Sequence, residues 1–416
     1  MIVPENKIAR PGLTDILGGL LLIVALPLFT YYVWICVRDY GGALVVPSRE
    51  WISRVPVPTV AAIALYGCWF VLQAVLQIVA PGKIQEGVPL PDGTRLKYKM
   101  NGWFSFWFTM AVALFVVLAG WVPATILYDE FGPLLTTVNC FAFLFSIFLY
   151  LQGKSSGRPE RRSGNAFYYY FMGTALNPRI GGFDFKLFCE ARPGLILWIL
   201  INLSFAAKQY QLHGAITTPM ILVNAFHFLY IADYYYHEEA ILTTWDIKHE
   251  NFGWMLCWGD LVWVPFTYTL QAHYLINQKH ELSPLALAGI VALNMLGYTI
   301  FRGANIQKHK FRKNPRGLVW GRPPDYIETR NGALLLTSGW WGIARHSNYF
   351  GDLIMALAWC LTTGFDHSLP YFYFTYFTIL LVHREWRDNL MCQEKYGKDW
   401  DAYCHKVRWR IVPGIY

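Results

Sequence analysis

The stretch "GWWGIARHSNYFGDLIMALAW", residues 339–359, sets Arg345, His346, Ser347 and Asn348 directly against an apolar run that itself carries Asp352. Charged and amide side chains at the lip of such a run read as the polar end of a membrane helix. Ionisable groups at membrane depth are costly and mark sites rather than filler.

The rest of the chain agrees with a membrane reading. Fifty-five per cent of the 416 residues are hydrophobic, 17% are aromatic and only 15% are charged, where a soluble domain has about 25%. Apolar runs of bilayer-crossing length fall near 12–37, 57–81, 103–127, 133–151, 193–209, 215–236, 253–277, 283–301, 349–364 and 368–383. The first is too long, and too poorly flanked by a small-residue cleavage site, for a signal peptide, and is kept as a span. The expected fold is all-α: a polytopic integral membrane protein with about ten transmembrane helices. With both termini on one side, 30 Lys and Arg lie on that side and 5 on the other, so the positive-inside rule places both termini in the cytoplasm. The net charge of +8 is accounted for by anionic headgroups, and no nucleic-acid partner is expected.

Eight cysteines are scattered without a C-x-x-C pair, as buried small hydrophobes are. No Cys/His cluster has zinc spacing, and no metal is expected.

The first four runs, within residues 1–163, are nearly free of internal charge and read as scaffold. Residues 164–416 crowd polar groups at helix ends and read as the catalytic domain. The connection 302–348 holds no run long enough to span. Its Arg302, Lys308, Lys310, Arg312, Lys313, Arg316 and Arg322 alternate with Phe311, Trp320, Tyr326 and Trp340, too aromatic a mixture for disorder. In the tail, 383–416, Arg384, Asp388, Cys392 and Lys395 share a helical face. These cations and aromatic plates suit an anionic ligand with aromatic rings, which guanidinium groups grip and rings stack on. No G-x-G-x-x-G occurs, so that ligand would not sit on a Rossmann fold. A second constellation, 232–271, gathers Asp233, His237, Glu238, Glu239, Asp246, His249 and Asp260 with Lys248 as its one Lys or Arg.

The tail pattern L-L-V-H-R-x-x-R-D-x-x-x-C-x-x-K-Y-G (380–397) resembles the signature of the sterol reductase family, which includes the delta-14 and delta-7 sterol reductases and the lamin B receptor. The resemblance extends through 176–208, "HEEAILTTWDI" (237–247), "FRGANIQKHKFRKNP" (301–315) and the opening stretch. "SGWWGxxRHxNYxGDLIMALAW" is similar to delta-14 enzymes, whereas "GNAFYYYFMG" and "VWGRPPDYIE" are similar to delta-7 enzymes. Ala175 and Asn389 stand where the family usually carries Glu.

The resemblance implies NADPH-dependent reduction of a sterol ring double bond, most plainly the delta-14 bond, with delta-7 reduction as the alternative. It implies a cofactor pocket on the cytoplasmic side formed by Lys308, Arg312, Leu336, Trp341, Asn348, Tyr349, Asp388, Cys392, Lys395, Tyr396 and Tyr403. The substrate would come from the bilayer. An isolated alkene accepts hydride only after protonation, so an acid shielded from bulk water is required. Tyr268, His237, Glu238, Glu239 and Asp260 are the candidates, and Trp245, Trp254 and Tyr268 offer π faces to the cation. R-H-x-x-Y-x-G is also similar to isoprenylcysteine carboxyl methyltransferases, which use S-adenosylmethionine, but those are shorter and lack L-N-P-R-I. A tethering role is disfavoured, and no obligate protein partner is expected. The compartment would be the endoplasmic reticulum in a eukaryote or the inner membrane in a bacterium.

Overall fold

The computed structural model describes residues 12–89, 93–156 and 165–416, so the expected boundary at 163/164 lies outside the described residues. The contacts divide the chain into two compact units, residues 1–279 and 280–416.

The first unit opens with α1 (Leu13–Tyr40), the short α2 (Trp51–Arg54) and α3 (Val60–Val79). Gly41, at φ +61°, ends α1 in the left-handed region that glycine adopts without strain. Thr59 begins α3 by accepting a hydrogen bond from the Ala62 amide at 3.0 Å. An antiparallel hairpin, β1 (Lys83–Pro89) and β2 (Arg95–Met100), pairs Lys83 with Met100. Then come α4 (Gly102–Leu118), α5 (Ile126–Asp129), α6 (Phe131–Ser156), α7 (Ala166–Met172), the two-residue strands β3 (Arg179–Ile180) and β4 (Phe183–Asp184), α8 (Phe185–Ala191), α9 (Pro193–His213) and α10 (Thr218–Tyr236).

The apolar run 253–277, expected as one span, is broken. After a 3-10 turn (Glu238–Thr243) and α11 (Trp245–His249), the chain forms α12 (Trp254–Trp258), a π-helical turn (Gly259–Trp263), α13 (Val264–Thr267) and α14 (Leu270–Leu275). Pro265 lacks the amide hydrogen that would carry the ladder through. Gly194 lets α9 abut the π turn, because a Cβ there would lie 2.0 Å from the Asp260 carbonyl oxygen.

The second unit holds α15 (Pro284–Lys313), the hairpin β5 (Tyr326–Glu328) and β6 (Leu334–Leu336), α16 (Trp340–Ile343), α17 (Ser347–Leu361), α18 (Phe372–Tyr396) and α19 (Lys398–Lys406). The connection expected from residue 302 is therefore helical for its first twelve residues. Lys310, Arg312 and Lys313 favour the negative C-terminal end of the helix dipole, and Asn314 ahead of Pro315 stops it. Helices α15 and α17 approach closely at Gly297 and Gly351, where a Cβ on Gly351 would lie 2.5 Å from the Phe301 nitrogen.

Burial is inverted relative to a soluble protein. On α3, Val71, Val75 and Ile78 are exposed while Gln73 and Gln77 are buried, and on α1 Leu13, Leu17, Leu21 and Leu28 face outward. Lipid solvates such a surface, and the polar groups must be satisfied inside. Gln73 Nε2 accordingly donates to Thr109 Oγ1 at 3.0 Å. Among the described residues, α1, α3, α6, α8 with α9, and α15 give five helices long and apolar enough to cross a bilayer, with α4 shorter. The protein is a mostly helical integral membrane protein. The short strand pairs, including the β1–β2 and β5–β6 hairpins, are the feature that the all-α expectation omitted.

Candidate active site

In the second unit, α15 carries Lys308 and Arg312 one turn apart at its end. Trp341 Nε1 donates to the Ala304 carbonyl at 2.9 Å, one turn before Lys308, and the Lys308 ammonium sits 3.8 Å from the centroid of the Trp341 ring. Leu336 packs into the same cluster with Ala304 and Phe311. Leu335, pointing to the other side of β6, packs instead with Trp400, Tyr403, Cys392 and Tyr396. The hairpin thus places cofactor candidates from both groups on its two faces. Trp400 stacks on Tyr403 at 4.9 Å and on Tyr396 at 6.3 Å.

The residues of the opening stretch join them. The backbone amides of Arg345 and His346 donate to the carbonyls of Trp409 and Arg410, each at 2.9 Å, so the C-terminal segment pins the start of α17. His346 lies 3.5 Å from Asp388 and stacks on Tyr349 at 4.8 Å. Cys392 Sγ is 4.0 Å from Asp388 Oδ2. Lys308, Leu336, Trp341, Tyr349, Asp388, Cys392, Tyr396 and Tyr403 are thereby linked; Lys395, though exposed, holds its ammonium 5.1 Å from the centroid of the Tyr396 ring, whereas Arg312 stands on the exposed surface.

Electrostatics follow from burial and from Lys308. Burial pushes the Cys392 thiol up to about 12, with Asp388 adding to the effect and Lys308 opposing it. Burial also raises the Tyr403 phenol. Both are therefore neutral hydrogen-bonding groups, not nucleophiles. His346 is lowered to about 3 by burial, then by Lys308 and Arg345. Asp388 pulls the other way, but it is half-exposed and screened by solvent, so the burial effect wins.

A group whose folded pKa is depressed below its unfolded value of about 6.5 destabilises the fold as pH falls between the two values. The thermal midpoint should therefore drop as pH is lowered from 7 to 5, and the drop should be smaller in His346→Gln. Identical slopes in both proteins would show that His346 does not titrate as a neutral buried group.

Among the described residues, the buried polar atoms here without a hydrogen-bond partner include Asn348 Oδ1, Arg345 Nε and Thr337 Oγ1. Such orphans are uncommon in folded proteins and point to a bound group that completes them. With a lysine on a tryptophan face and the positive end of α17 alongside, the residues fit a phosphate-bearing ligand with a planar ring.

In the first unit the acid candidates separate. Glu238 is buried and fully occupied: Oε1 accepts from Arg192 Nη2 and Oε2 from the Gly102 amide, both at 2.7 Å. Arg192, 0% exposed, also donates to Gln77 Oε1 at 2.8 Å and Asn101 Oδ1 at 2.6 Å. Burial raises the Glu238 carboxyl, while Arg192 and the Gly102 amide pull it back. That geometry is a structural ion pair joining α3, α4, α9 and the 3-10 turn. His237 is half-buried and leans on its own helix, 3.1 Å from the Asp233 carbonyl. Glu239 is exposed and accepts from Gln85 at 3.1 Å. Asp260 sits in the π turn with Oδ2 buried and without a hydrogen-bond partner; single π turns recur at functional sites. Tyr268 packs edge-on against Trp198, ring centroids 5.3 Å apart.

Sequence reasoning passed over Arg192, Trp198, Asn202 and His227. Each lies in or beside an apolar run, and the spacing of Trp198 and Asn202 by one helical turn was the available signal. A cavity of about 300 Å³ lined by Trp34, Arg38, Tyr128, Asp129 and His273 contains none of the nominated residues.

Residues 15–416 match the model of the "Ergosterol biosynthesis ERG4/ERG24 family". The chain is 61% identical over 402 residues to the Delta(14)-sterol reductase of Methylotuvimicrobium alcaliphilum, covering 95% of this chain and 94% of that protein. It is 48% identical over 419 residues to the Delta(14)-sterol reductase of Dictyostelium discoideum (96% and 91%), and 43% identical over 406 residues to Delta(14)-sterol reductase TM7SF2 of Mus musculus (96% and 96%). A match that runs from the first described helix to the last residue leaves no part of the fold unaccounted for, and the chain belongs to the ergosterol biosynthesis ERG4/ERG24 family.

Proposed function

We propose that this protein is an NADPH-dependent sterol reductase acting on the delta-14 double bond of a sterol drawn from the bilayer. The observation that carries the reading is the set of full-length relatives named Delta(14)-sterol reductase. The orphaned polar atoms beside Lys308 and Trp341 support the cofactor. NADPH, when bound, supplies the hydride.

The chain's own residues would do the rest. Lys308 and Arg312 hold phosphate, and Trp341 and Tyr349 offer ring faces. Asp388 and Tyr403 bind ribose hydroxyls or the carboxamide. Tyr268 or Asp260, in the water-poor interior, protonates the alkene at one carbon so that the neighbouring carbon becomes electrophilic. Glu238 serves the fold, because its two oxygens are already committed. Both termini and the cofactor residues lie on the cytoplasmic side in this reading.

Purified protein in lipid, given delta-14 and delta-7 sterols with NADPH or NADH, should reduce the delta-14 sterol with NADPH, as position analysis of the product would report. Reduction of the delta-7 bond alone would overturn the regiochemistry. Lys308→Ala and Arg312→Ala should each weaken NADPH by about 1–3 kcal/mol, the worth of a charge-assisted contact. Unchanged affinity in both would remove the assigned pocket.

A further inference from the structure

Helix α9 carries Trp198 and Asn202 one turn apart, and α10 carries His227. All three are buried, His227 at 0% exposure. Trp198 Nε1 donates to His227 Nδ1 at 3.0 Å, and Asn202 Nδ2 lies 2.8 Å from the same nitrogen. An indole N–H can only donate. His227 Nδ1 therefore presents its lone pair, which makes the imidazole neutral with its proton on Nε2. The same constraint orients Asn202, whose amide NH₂ must face Nδ1, leaving its Oδ1 buried without a hydrogen-bond partner. The arrangement keeps the histidine's tautomer at the expense of the amide's carbonyl.

What this fixes is Trp198. Its indole is held at the N–H by His227, whose ring lies 4.8 Å away, while its ring meets Tyr268 at 5.3 Å and an interplanar angle of 82°. A tryptophan pinned at its nitrogen cannot rotate about its side-chain bonds without losing that hydrogen bond, so Tyr268 packs on a plate of fixed orientation. The lone pair of Nδ1 is occupied by two donors that do not release protons, so Nδ1 does not act as a base.

We propose that His227 is a positioning residue for proton delivery, acting through Trp198 on the aim of the Tyr268 phenol. The proposal rests on the reading of Tyr268 as the proton donor of a sterol reductase.

The test uses the full-length protein in lipid with a delta-14 sterol and NADPH. His227→Phe, which removes the acceptor, should lower kcat between about tenfold and a hundredfold, the range expected for a misaimed catalytic group, while NADPH affinity stays within about twofold. The solvent deuterium isotope effect on kcat should rise as proton transfer becomes limiting. His227→Asn, whose Oδ1 can stand where Nδ1 stands, should restore most of the loss. Trp198→Phe, which keeps a ring under Tyr268 but lacks the N–H, should reproduce the defect and be non-additive with His227→Phe; it decides the matter if His227→Phe does not fold.

Wild-type turnover and isotope effect in both Trp198→Phe and His227→Phe, in an enzyme that depends on Tyr268, would overturn the positioning role alone. Loss of NADPH affinity in parallel with kcat, without rescue by His227→Asn, would overturn it in favour of a purely structural histidine. A wild-type protein inactive on sterols, or a fully active Tyr268→Phe, would overturn the underlying reading and the proposal with it.

Discussion

Tyr268→Phe is expected to lower turnover by about a hundredfold or more while leaving NADPH affinity and the thermal midpoint nearly unchanged. The phenylalanine ring keeps the edge-on contact with Trp198 at 5.3 Å, so packing is conserved and only the acidic hydroxyl is lost. Protonation of an alkene is the demanding half of the proposed reaction, because the hydride has no electrophile until it has occurred. Steady-state kinetics with a delta-14 sterol and a separate NADPH titration make the measurement. If Tyr268→Phe retains near-normal turnover, the acid is another group. Asp260 is next, since its Oδ2 is buried in the π turn without a hydrogen-bond partner, and Asp260→Asn becomes the deciding variant.

The second large effect is on folding. Arg192 and Glu238 are 0% and 5% exposed at their side chains and 2.7 Å apart, so neither charge can be hydrated if the other is removed. Glu238→Gln or Arg192→Met should destabilise the protein by about 3–5 kcal/mol, the usual consequence of leaving one charge of a buried pair uncompensated. The effect would be read as a lowered thermal midpoint in detergent or lipid. Replacing both partners by apolar residues, Arg192→Met with Glu238→Leu, should recover much of the loss, because the desolvation cost of two ions disappears together. A Glu238→Gln protein with a wild-type midpoint and no turnover would contradict this and return Glu238 to the list of proton donors.

Glu238 shows where sequence reading stops. Its place in an acid-rich segment beside an apolar run made it a candidate acid, equal on that ground to Asp260. The partners that commit its oxygens lie 46 and 136 residues away, at Arg192 and Gly102. No local pattern encodes such a pairing; it arises when α4, α9 and the 3-10 turn pack together. The departure at Asn389 is comparable: in this fold its side-chain oxygen accepts from Trp400 Nε1 at 3.0 Å, tying α18 to α19 beside Tyr403.

Local order in the sequence was enough to read the solvent and the family. Apolar run lengths follow from bilayer thickness, the charge asymmetry follows from insertion, and the family motifs are contiguous strings, so each can be read from local order alone. Through the family resemblance the sequence also offered Lys308, Trp341, Asp388 and Tyr403 as cofactor candidates. Tertiary structure alone decided that α15 runs on to Lys313 and that the run 253–277 breaks around a π turn. It also decided that β6 divides the cofactor candidates between its two faces and that His227, Asn202 and Trp198 meet. Inside a membrane the hydrophobic effect does not choose partners among helices, because every apolar face is equally well solvated by lipid. The polar side chains must instead find one another, and where they do so depends on the packing of whole helices rather than on the residues beside them in the chain.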